Sequence, residues 1–153
     1  MGCGWGTVAK FDAEKYGVTG TGVTVSVDQV ELGNELCKGL PVEIRLQAYR
    51  DVNERYDHVV AIGLTEHIGY RNYRIFMQTV ASCLNDDGLF LLHTIGTPFS
   101  KTAPDTFNNN HIFPNGRVPS VKTLTATMEG EFKVKDLHTY GHYYTPQQVA
   151  GLT

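Results

Sequence analysis

Strand-like and helix-like segments alternate through residues 18–96, and this alternation constrains the fold more than any other feature of the sequence. The strand-like segments are short and rich in β-branched or other apolar residues, and they cover residues 18–26, 42–49, 56–64 and 89–96. The last of them, LFLLHTIG, is nearly continuous in apolar residues, which is typical of a strand buried on both faces. Strands that alternate with helices form right-handed βαβ units. We therefore expect an α/β fold with a mostly parallel sheet.

Two helices are predicted from apolar periodicity. Residues 7–16 place Val8, Phe11 and Tyr16 on one side, and Gly17 can end this helix in the left-handed conformation. The strongest pattern lies within residues 70–88 and closes at Asp87-Gly88. Its apolar residues recur every three or four positions: Tyr73, Phe76, Met77, Val80 and Leu84.

Two more helices are predicted from their start signals and composition. Ser26 suits the N-cap of a helix that closes at Gly39, although Gly33 inside it costs about 1 kcal/mol relative to alanine. A further helix covers about 119–129, and a strand is expected within 130–141. Residues 97–119 are rich in Pro, Asn and Thr and too long for an ordinary connection, so we expect them to cover a site.

Length and charge exclude several classes of protein. A chain of 153 residues suits a single domain, and a net charge of −3 with interspersed acids and bases offers no basic patch for nucleic acid. No apolar run is long enough to span a membrane. Three widely spaced cysteines show no zinc-binding pattern, so no metal site is expected and reduced thiols in the cytoplasm are predicted.

The glycine-rich start of the chain is the first candidate binding site. Gly2, Gly4 and Gly6 alternate in GCGWG directly before the first predicted helix. Glycines let a ligand approach backbone N–H groups at a helix N-terminus, where negative charge is favoured. The GxGxG spacing occurs more often with S-adenosylmethionine than with dinucleotides. Taken alone, however, the motif leaves a structural turn and a nucleoside site equally open.

Polar residues at the ends of predicted strands are the second candidate. Thr24, Ser26 and Gln29 follow the first strand, where a ribose would lie, while capping of the next helix by Ser26 explains them as well. Glu66 follows the 56–64 strand and His93 interrupts an apolar one. A carboxylate in that position is more often a helix cap, and such a histidine is usually a neutral core residue. If the two strands are neighbours, both side chains meet at the carboxyl edge of the sheet beside the glycine turn.

Six strings together resemble the cyclopropane-fatty-acyl-phospholipid synthases, which are related to the mycolic acid cyclopropane synthases. They are GCGWG, GVTVSVDQ, LPVEIRLQAYRD, EHIGYRNY, GLFLLHTIG and FPNGRVPS, and they run in order from Gly2 to about Tyr144. The resemblance implies a class I methyltransferase (Rossmann-like) fold. It also implies methylene transfer from S-adenosylmethionine to the cis double bond of a phospholipid acyl chain, with a bound bicarbonate ion as the base.

The resemblance also implies roles for individual residues. Bicarbonate would be held by Glu66, His93 and the backbone of Ile95. S-adenosylmethionine would contact the remaining positions: Gly2, Gly4, Gly6, Thr24, Ser26, Gln29, Ala48, Tyr49 and Ile62. The implied partners are unsaturated phospholipids at a membrane surface, with the protein cytoplasmic or peripheral at the inner face and a homodimer left open.

The sequence departs from the family in several places. Ala48 replaces a carboxylate near the adenine, and Thr65 stands where a bulky residue precedes the Glu-His pair. The family's catalytic cysteine and a downstream tyrosine fall outside the 153 residues, as does the central strand that leads into the glycine turn. We therefore expect a single partial domain over 1–153, truncated at both ends, that performs no transfer by itself. Two alternatives remain open, a non-catalytic remnant and a methyltransferase acting on a small amine or acid.

Overall fold

A computed structural model describes residues 1–100 and 118–140 of the chain. Its strands are β1 (Gly20–Thr24), β2 (Val42–Leu46), β3 (Tyr56–Ile62) and β4 (Leu84–His93). Its α-helices are α1 (Thr7–Tyr16), α2 (Val27–Leu36), α3 (Thr65–Ile68), α4 (Tyr73–Ser82) and α5 (Val121–Met128), with 3-10 turns at Tyr49–Asp51 and Tyr70–Asn72. Strands and helices alternate as predicted.

The four described strands form two parallel pairs. β1 pairs with β2, with Gly20 opposite Val42, and β3 pairs with β4, with Ile62 opposite His93. The predicted α/β class with parallel strands is therefore confirmed.

The first three residues lie between the two strand pairs. The amino group of Met1 donates a hydrogen bond to the Val60 carbonyl on β3 at 2.6 Å, and the Cys3 amide donates to the Val23 carbonyl on β1 at 3.0 Å. Burial lowers the pKa of the Met1 amino group below its ordinary value. This short segment thus links the two pairs and sets the position of the glycine turn that follows it.

Helix α4 forms the centre of the main core, as its periodicity predicted. Tyr73, Phe76, Met77 and Val80 are fully buried, and Phe76 and Val80 join Val59 of β3 in one cluster. The helix ends at Ser82, six residues before the predicted stop. Residues 84–88 belong instead to β4, where Leu84 pairs with Tyr56 and Asp87 adopts a φ of 64° at an irregularity in the register.

Burial departs from the apolar pattern of α1 and from the predicted two-sided burial of β4. In α1 the buried residue is Ala13, whereas Val8, Phe11 and Tyr16 are exposed. Ala9 of the same helix faces Gly20 of β1, where an added Cβ would lie 4.0 Å away. In β4, Leu89 and Leu91 are exposed within the described part of the chain, while the alternate side chains pack against the α4 core. One face of this strand is covered by the described residues, not both.

The remaining predictions concern the C-terminal third. Ser120 caps α5, which confirms the predicted helix, but residues 131–140 form no strand. Arg74 on α4 holds the end of α5 through the carbonyl of Thr127 at 3.1 Å and the carboxylate of Glu131 at 3.0 Å. Most of the predicted site-covering segment, residues 101–117, lies outside the described residues. Across residues 1–100 and 118–140, no helix has the length and apolar character needed to cross a bilayer.

Candidate functional site

The glycine turn is built from left-handed backbone. Gly2, Gly4 and Gly6 have φ values of 66°, 55° and 77°, a region that other residues enter only at a cost. A Cβ on Gly2 would lie 2.8 Å from the Leu64 side chain, whereas one on Gly4 would meet nothing within 4 Å. The turn therefore lies against the residues that follow β3, and Gly4 faces open space.

Helix α1 begins directly after this turn without a side-chain cap. Gly6 occupies the N-cap position, and no side chain accepts a hydrogen bond there. The amides of the first turn of a helix have no partner within the helix, and they favour negative charge. The glycine turn and the start of α1 together can bind an anionic or strongly polar group.

Gly33 lets α2 approach this turn. A Cβ at Gly33 would lie 3.1 Å from Ile44 and 3.4 Å from the Trp5 carbonyl. The sequence predicts that this glycine destabilises α2, whereas the structure shows that it allows α2 to pack closely against Ile44. Gly6 also approaches Ile44, so these glycines fit around one buried side chain.

Thr24, Ser26 and Gln29 are hydrogen-bonded to one another after β1. The Thr24 hydroxyl donates to the side-chain carbonyl of Gln29, and the Gln29 amide donates to the Ser26 hydroxyl at 3.4 Å. Ser26 is thus the N-cap of α2, as predicted. The bonds pre-organise the three side chains at the carboxyl end of β1.

Ala48 and Tyr49 follow β2. Ala48 is extended, and Tyr49 starts a 3-10 turn and packs edge-on against Phe76, with ring centroids 5.3 Å apart. The Tyr49 hydroxyl is buried and none of the described residues offers it a hydrogen bond. Burial raises the pKa of this phenol, and the nearby charge of Arg50 partly offsets the effect.

Glu66 is a buried carboxylate that is hydrogen-bonded to a backbone amide. It is 2% exposed, and its Oε1 accepts a hydrogen bond from the Ile95 amide at 2.7 Å. The five ion pairs found among the described residues involve other side chains. This bond brings Glu66 and Ile95 together.

His93 ends β4, opposite Ile62 at the end of β3. Its Nδ1 is buried and finds no hydrogen-bond partner among the described residues. A buried polar atom without a partner is costly, so the imidazole has hydrogen-bonding capacity that none of the described residues uses. Ile62 and Ile95 are half exposed beside it, at 44% and 49%.

Two hydroxyls next to these residues were not predicted as part of the site. Thr65 is fully buried, and its Oγ1 lies 2.6 Å from the Thr94 hydroxyl and 3.2 Å from Glu66 Oε2. The sequence points to these two residues only because Thr65 directly precedes Glu66 and Thr94 directly follows His93. Proximity along the chain does not show that the two hydroxyls are hydrogen-bonded to each other. No cluster of candidate metal ligands occurs in residues 1–100 and 118–140.

Comparisons with known proteins agree with this geometry. Residues 1–148 match the model of the mycolic acid cyclopropane synthetase family. The cyclopropane-fatty-acyl-phospholipid synthase of Escherichia coli K12 is 42% identical over 144 residues, which cover 94% of this chain and 38% of that protein. The chain therefore spans well under half the length of this relative.

Solved structures give the same fold. A mycolic acid cyclopropane synthase complexed with SAH and CTAB is 29% identical with a TM-score of 0.78, over 88% of this chain and 54% of that one. A coclaurine N-methyltransferase bound to N-methylheliamine and SAH is 26% identical with a TM-score of 0.76, over 97% and 47%. The described residues thus have the fold of class I methyltransferases. With the family model covering nearly all of the sequence, the chain belongs to the mycolic acid cyclopropane synthetase family.

Proposed function

We propose that this chain forms the cofactor- and anion-binding part of a cyclopropane-fatty-acyl-phospholipid synthase. The reaction would transfer a methylene group from S-adenosylmethionine to the cis double bond of a phospholipid acyl chain. One observation carries the proposal. The buried Glu66 carboxylate is bonded to Ile95, two residues from the buried and partnerless Nδ1 of His93, and Leu64 connects this region to the glycine turn.

The described residues fit S-adenosylmethionine. The open side of Gly4 and the uncapped start of α1 suit its methionine carboxylate, and the polar group of Thr24, Ser26 and Gln29 suits its hydroxyls. Gly2 and Gly6 complete the turn. Ala48, Tyr49 and Ile62 would surround the adenine. When bound, the cofactor supplies an electrophilic methyl carbon.

The chain's own residues would bind the base that accepts the proton released during ring closure. Glu66, the His93 imidazole and the Ile95 backbone would hold a bicarbonate ion, which would accept that proton. An ion with an acidic O–H and a negative oxygen suits a site that combines a carboxylate acceptor with an imidazole. Apolar neighbours such as Leu91 and Ile95 would contact the acyl chain and limit water around the reacting carbons.

The substrates and surroundings follow from this chemistry. The proposed partner is an unsaturated phospholipid at a membrane surface, which a cytoplasmic protein would reach by peripheral binding at the inner face. The CTAB bound in one related synthase is a long-chain amphiphile and supports a lipid-like substrate. A homodimer remains a proposal.

Fold likeness alone does not exclude methylation of a small amine, since an N-methyltransferase superimposes equally well. The His93, Glu66 and Ile95 arrangement favours ring formation, because N-methylation needs no separate anion that accepts a proton from the transferred methyl group. A non-catalytic remnant would be expected to bind no cofactor.

The first test measures SAH binding to the 153-residue chain by isothermal titration calorimetry. We expect binding, and we expect Gly4→Val to abolish it, because a β-branched residue resists the left-handed conformation and fills the open side. Ser82→Ala, remote on α4, is the matched control. Failure of the folded wild-type chain to bind SAH would favour the remnant.

The second test uses a chimera, because the chain spans 38% of the E. coli synthase. This chain replaces the matched segment of that enzyme, and fatty acids are analysed by mass spectrometry after incubation with labelled S-adenosylmethionine and vesicles of cis-unsaturated phospholipid. We expect cyclopropane products, with Glu66→Gln reducing their rate by about 10²- to 10⁴-fold. Transfer to amines instead of acyl chains would refute the proposal.

A further inference from the structure

We propose that Thr65 and Thr94 are positioning residues for Glu66, acting as a two-hydroxyl relay that orients the carboxylate toward its ligand. The proposal rests on the function proposed above for Glu66. It concerns two side chains that neither the family resemblance nor the comparisons assign to the site.

The relay is continuous from the backbone to the carboxylate. The Thr94 hydroxyl lies 3.1 Å from its neighbour's carbonyl, that of Ile95, and 2.6 Å from Thr65 Oγ1. Thr65 Oγ1 in turn lies 3.2 Å from Glu66 Oε2. The Ile95 amide occupies the other oxygen, Oε1, at 2.7 Å. Both oxygens of Glu66 are therefore held, one by a backbone amide and one by a hydroxyl.

Each hydroxyl carries a single proton, so the relay has a direction. Thr65 Oγ1 is the donor in both of its contacts, to Thr94 Oγ1 and to Glu66 Oε2, and Thr94 Oγ1 donates to the Ile95 carbonyl. The single proton of Thr65 is therefore shared between the Glu66 carboxylate and Thr94, whose own hydroxyl is fixed by the Ile95 carbonyl.

Burial makes the hydrogen bonds of Glu66 energetically important. Thr65 is fully buried and Glu66 nearly so, and the described ion pairs give Glu66 no cationic partner. A buried carboxylate without a counter-charge depends on its hydrogen bonds. The Thr65 hydroxyl is one of the two donors in position, and Thr94 determines which way it points.

The experiment uses the 153-residue chain, labelled with ¹⁵N, with SAH present. It compares the wild type with Thr65→Val, which keeps the shape without the hydroxyl, and Thr65→Ser, which restores the hydroxyl. Thr79→Val, which removes a hydroxyl bonded to the Ile75 carbonyl within α4, is the control for the exchange itself. Two quantities are measured: hydrogen exchange of the Ile95 amide, and affinity for ¹³C-bicarbonate.

We expect Thr65→Val to speed exchange of the Ile95 amide about tenfold and to weaken bicarbonate binding about tenfold, the usual size for loss of a hydrogen bond to a charged group. Thr65→Ser should recover both within about threefold. Thr94→Val should reproduce part of the loss and add little in the double variant, because the hydroxyls act in series. An unchanged Ile95 amide in folded Thr65→Val would overturn the relay.

The two proposals fail in different ways. If the wild-type chain binds no bicarbonate but Thr65→Val still loosens the Ile95 amide, the proposed function fails and the positioning of Glu66 stands. If bicarbonate binds equally to wild type and Thr65→Val, the proposed function stands and the relay is rejected.

Discussion

Gly22→Ala should destabilise the chain although alanine is normally the better residue in a strand. Gly22 lies in the middle of β1, and a Cβ there would approach Ile44 Cδ1 to 2.6 Å and Cys3 Sγ to 2.9 Å. Neither neighbour can easily retreat. Ile44 is 2% exposed, and the Asn34 side chain holds its backbone with two hydrogen bonds, of 2.8 and 2.9 Å.

The size of the effect follows from two opposed contributions. Replacing glycine in a strand gains about 0.5–1 kcal/mol by reducing the freedom of the unfolded chain. Overpacking a filled core costs about 1–3 kcal/mol. Contacts below 3 Å with the buried Ile44 and the partly buried Cys3 place the overpacking cost toward the upper end of this range, so we expect a net loss of about 1–2 kcal/mol of unfolding free energy.

Gly20→Ala is the matched control in the same strand. A Cβ at Gly20 would lie 3.8 Å from Val42 and 4.0 Å from Ala9, which is ordinary contact. This variant should be neutral or slightly more stable. Urea denaturation, followed by far-UV circular dichroism and by fluorescence of Trp5, the single tryptophan, measures both variants and reports on the glycine turn directly.

A compensating change tests the reasoning further. Ile44→Val removes the Cδ1 atom that the new methyl group would strike, and alone it should cost about 0.5–1.5 kcal/mol. In the Gly22→Ala background it should cost less, with a coupling of about 1 kcal/mol. Equal stability of Gly22→Ala and Gly20→Ala, or strict additivity with Ile44→Val, would refute the steric argument.

Three further predictions concern other parts of the chain. Ser26→Ala should lose about 1 kcal/mol of unfolding free energy by removing the N-cap of α2, while Ser26→Asp, which keeps an acceptor, should lose little. Arg74→Ala should speed amide exchange at the end of α5 more than Arg74→Lys does, because the guanidinium bonds backbone carbonyls there; equal rates would contradict this. Burial raises the pKa of the Cys83 thiol above its ordinary value of 9.0. The contribution of this thiol to stability is therefore complete below pH 9.0 and is lost as the pH rises through the pKa of the folded state. Cys83→Ala should make this decline in stability shallower, which thermal melts from pH 8 to 10 would measure.

Local patterns predicted the elements well where they reflect local physics. The periodicity of α4 identified its buried face because one apolar stripe packs on one core, and Ser26 and Gly17 marked helix ends through backbone geometry that depends only on nearby residues. The end of α4 was misplaced because the Asp87-Gly88 pair resembles a helix stop. In the structure the same pair lies at an irregularity in β4.

Local sequence patterns do not always show which face of a helix or strand is buried. The apolar residues of α1 lie on one side around Phe11, yet the buried residue of the helix is Ala13, and Ala9 faces Gly20 of β1. The same close packing explains Gly33, a weakness when α2 is considered alone and a requirement once Ile44 lies against it. Such outcomes depend on partners far away in sequence.

The candidate site likewise depends partly on local sequence and partly on tertiary structure. The sequence by itself determined the chemistry on offer: three glycines where the backbone turns left-handed, a carboxylate after one strand and an imidazole in another. The tertiary structure alone decided which groups meet, because strand pairing sets Ile62 beside His93 and brings the Ile95 amide to Glu66 across 29 residues. The Thr65–Thr94 contact arises from that same pairing, since a hydrogen bond between distant residues exists only after the chain has brought them together.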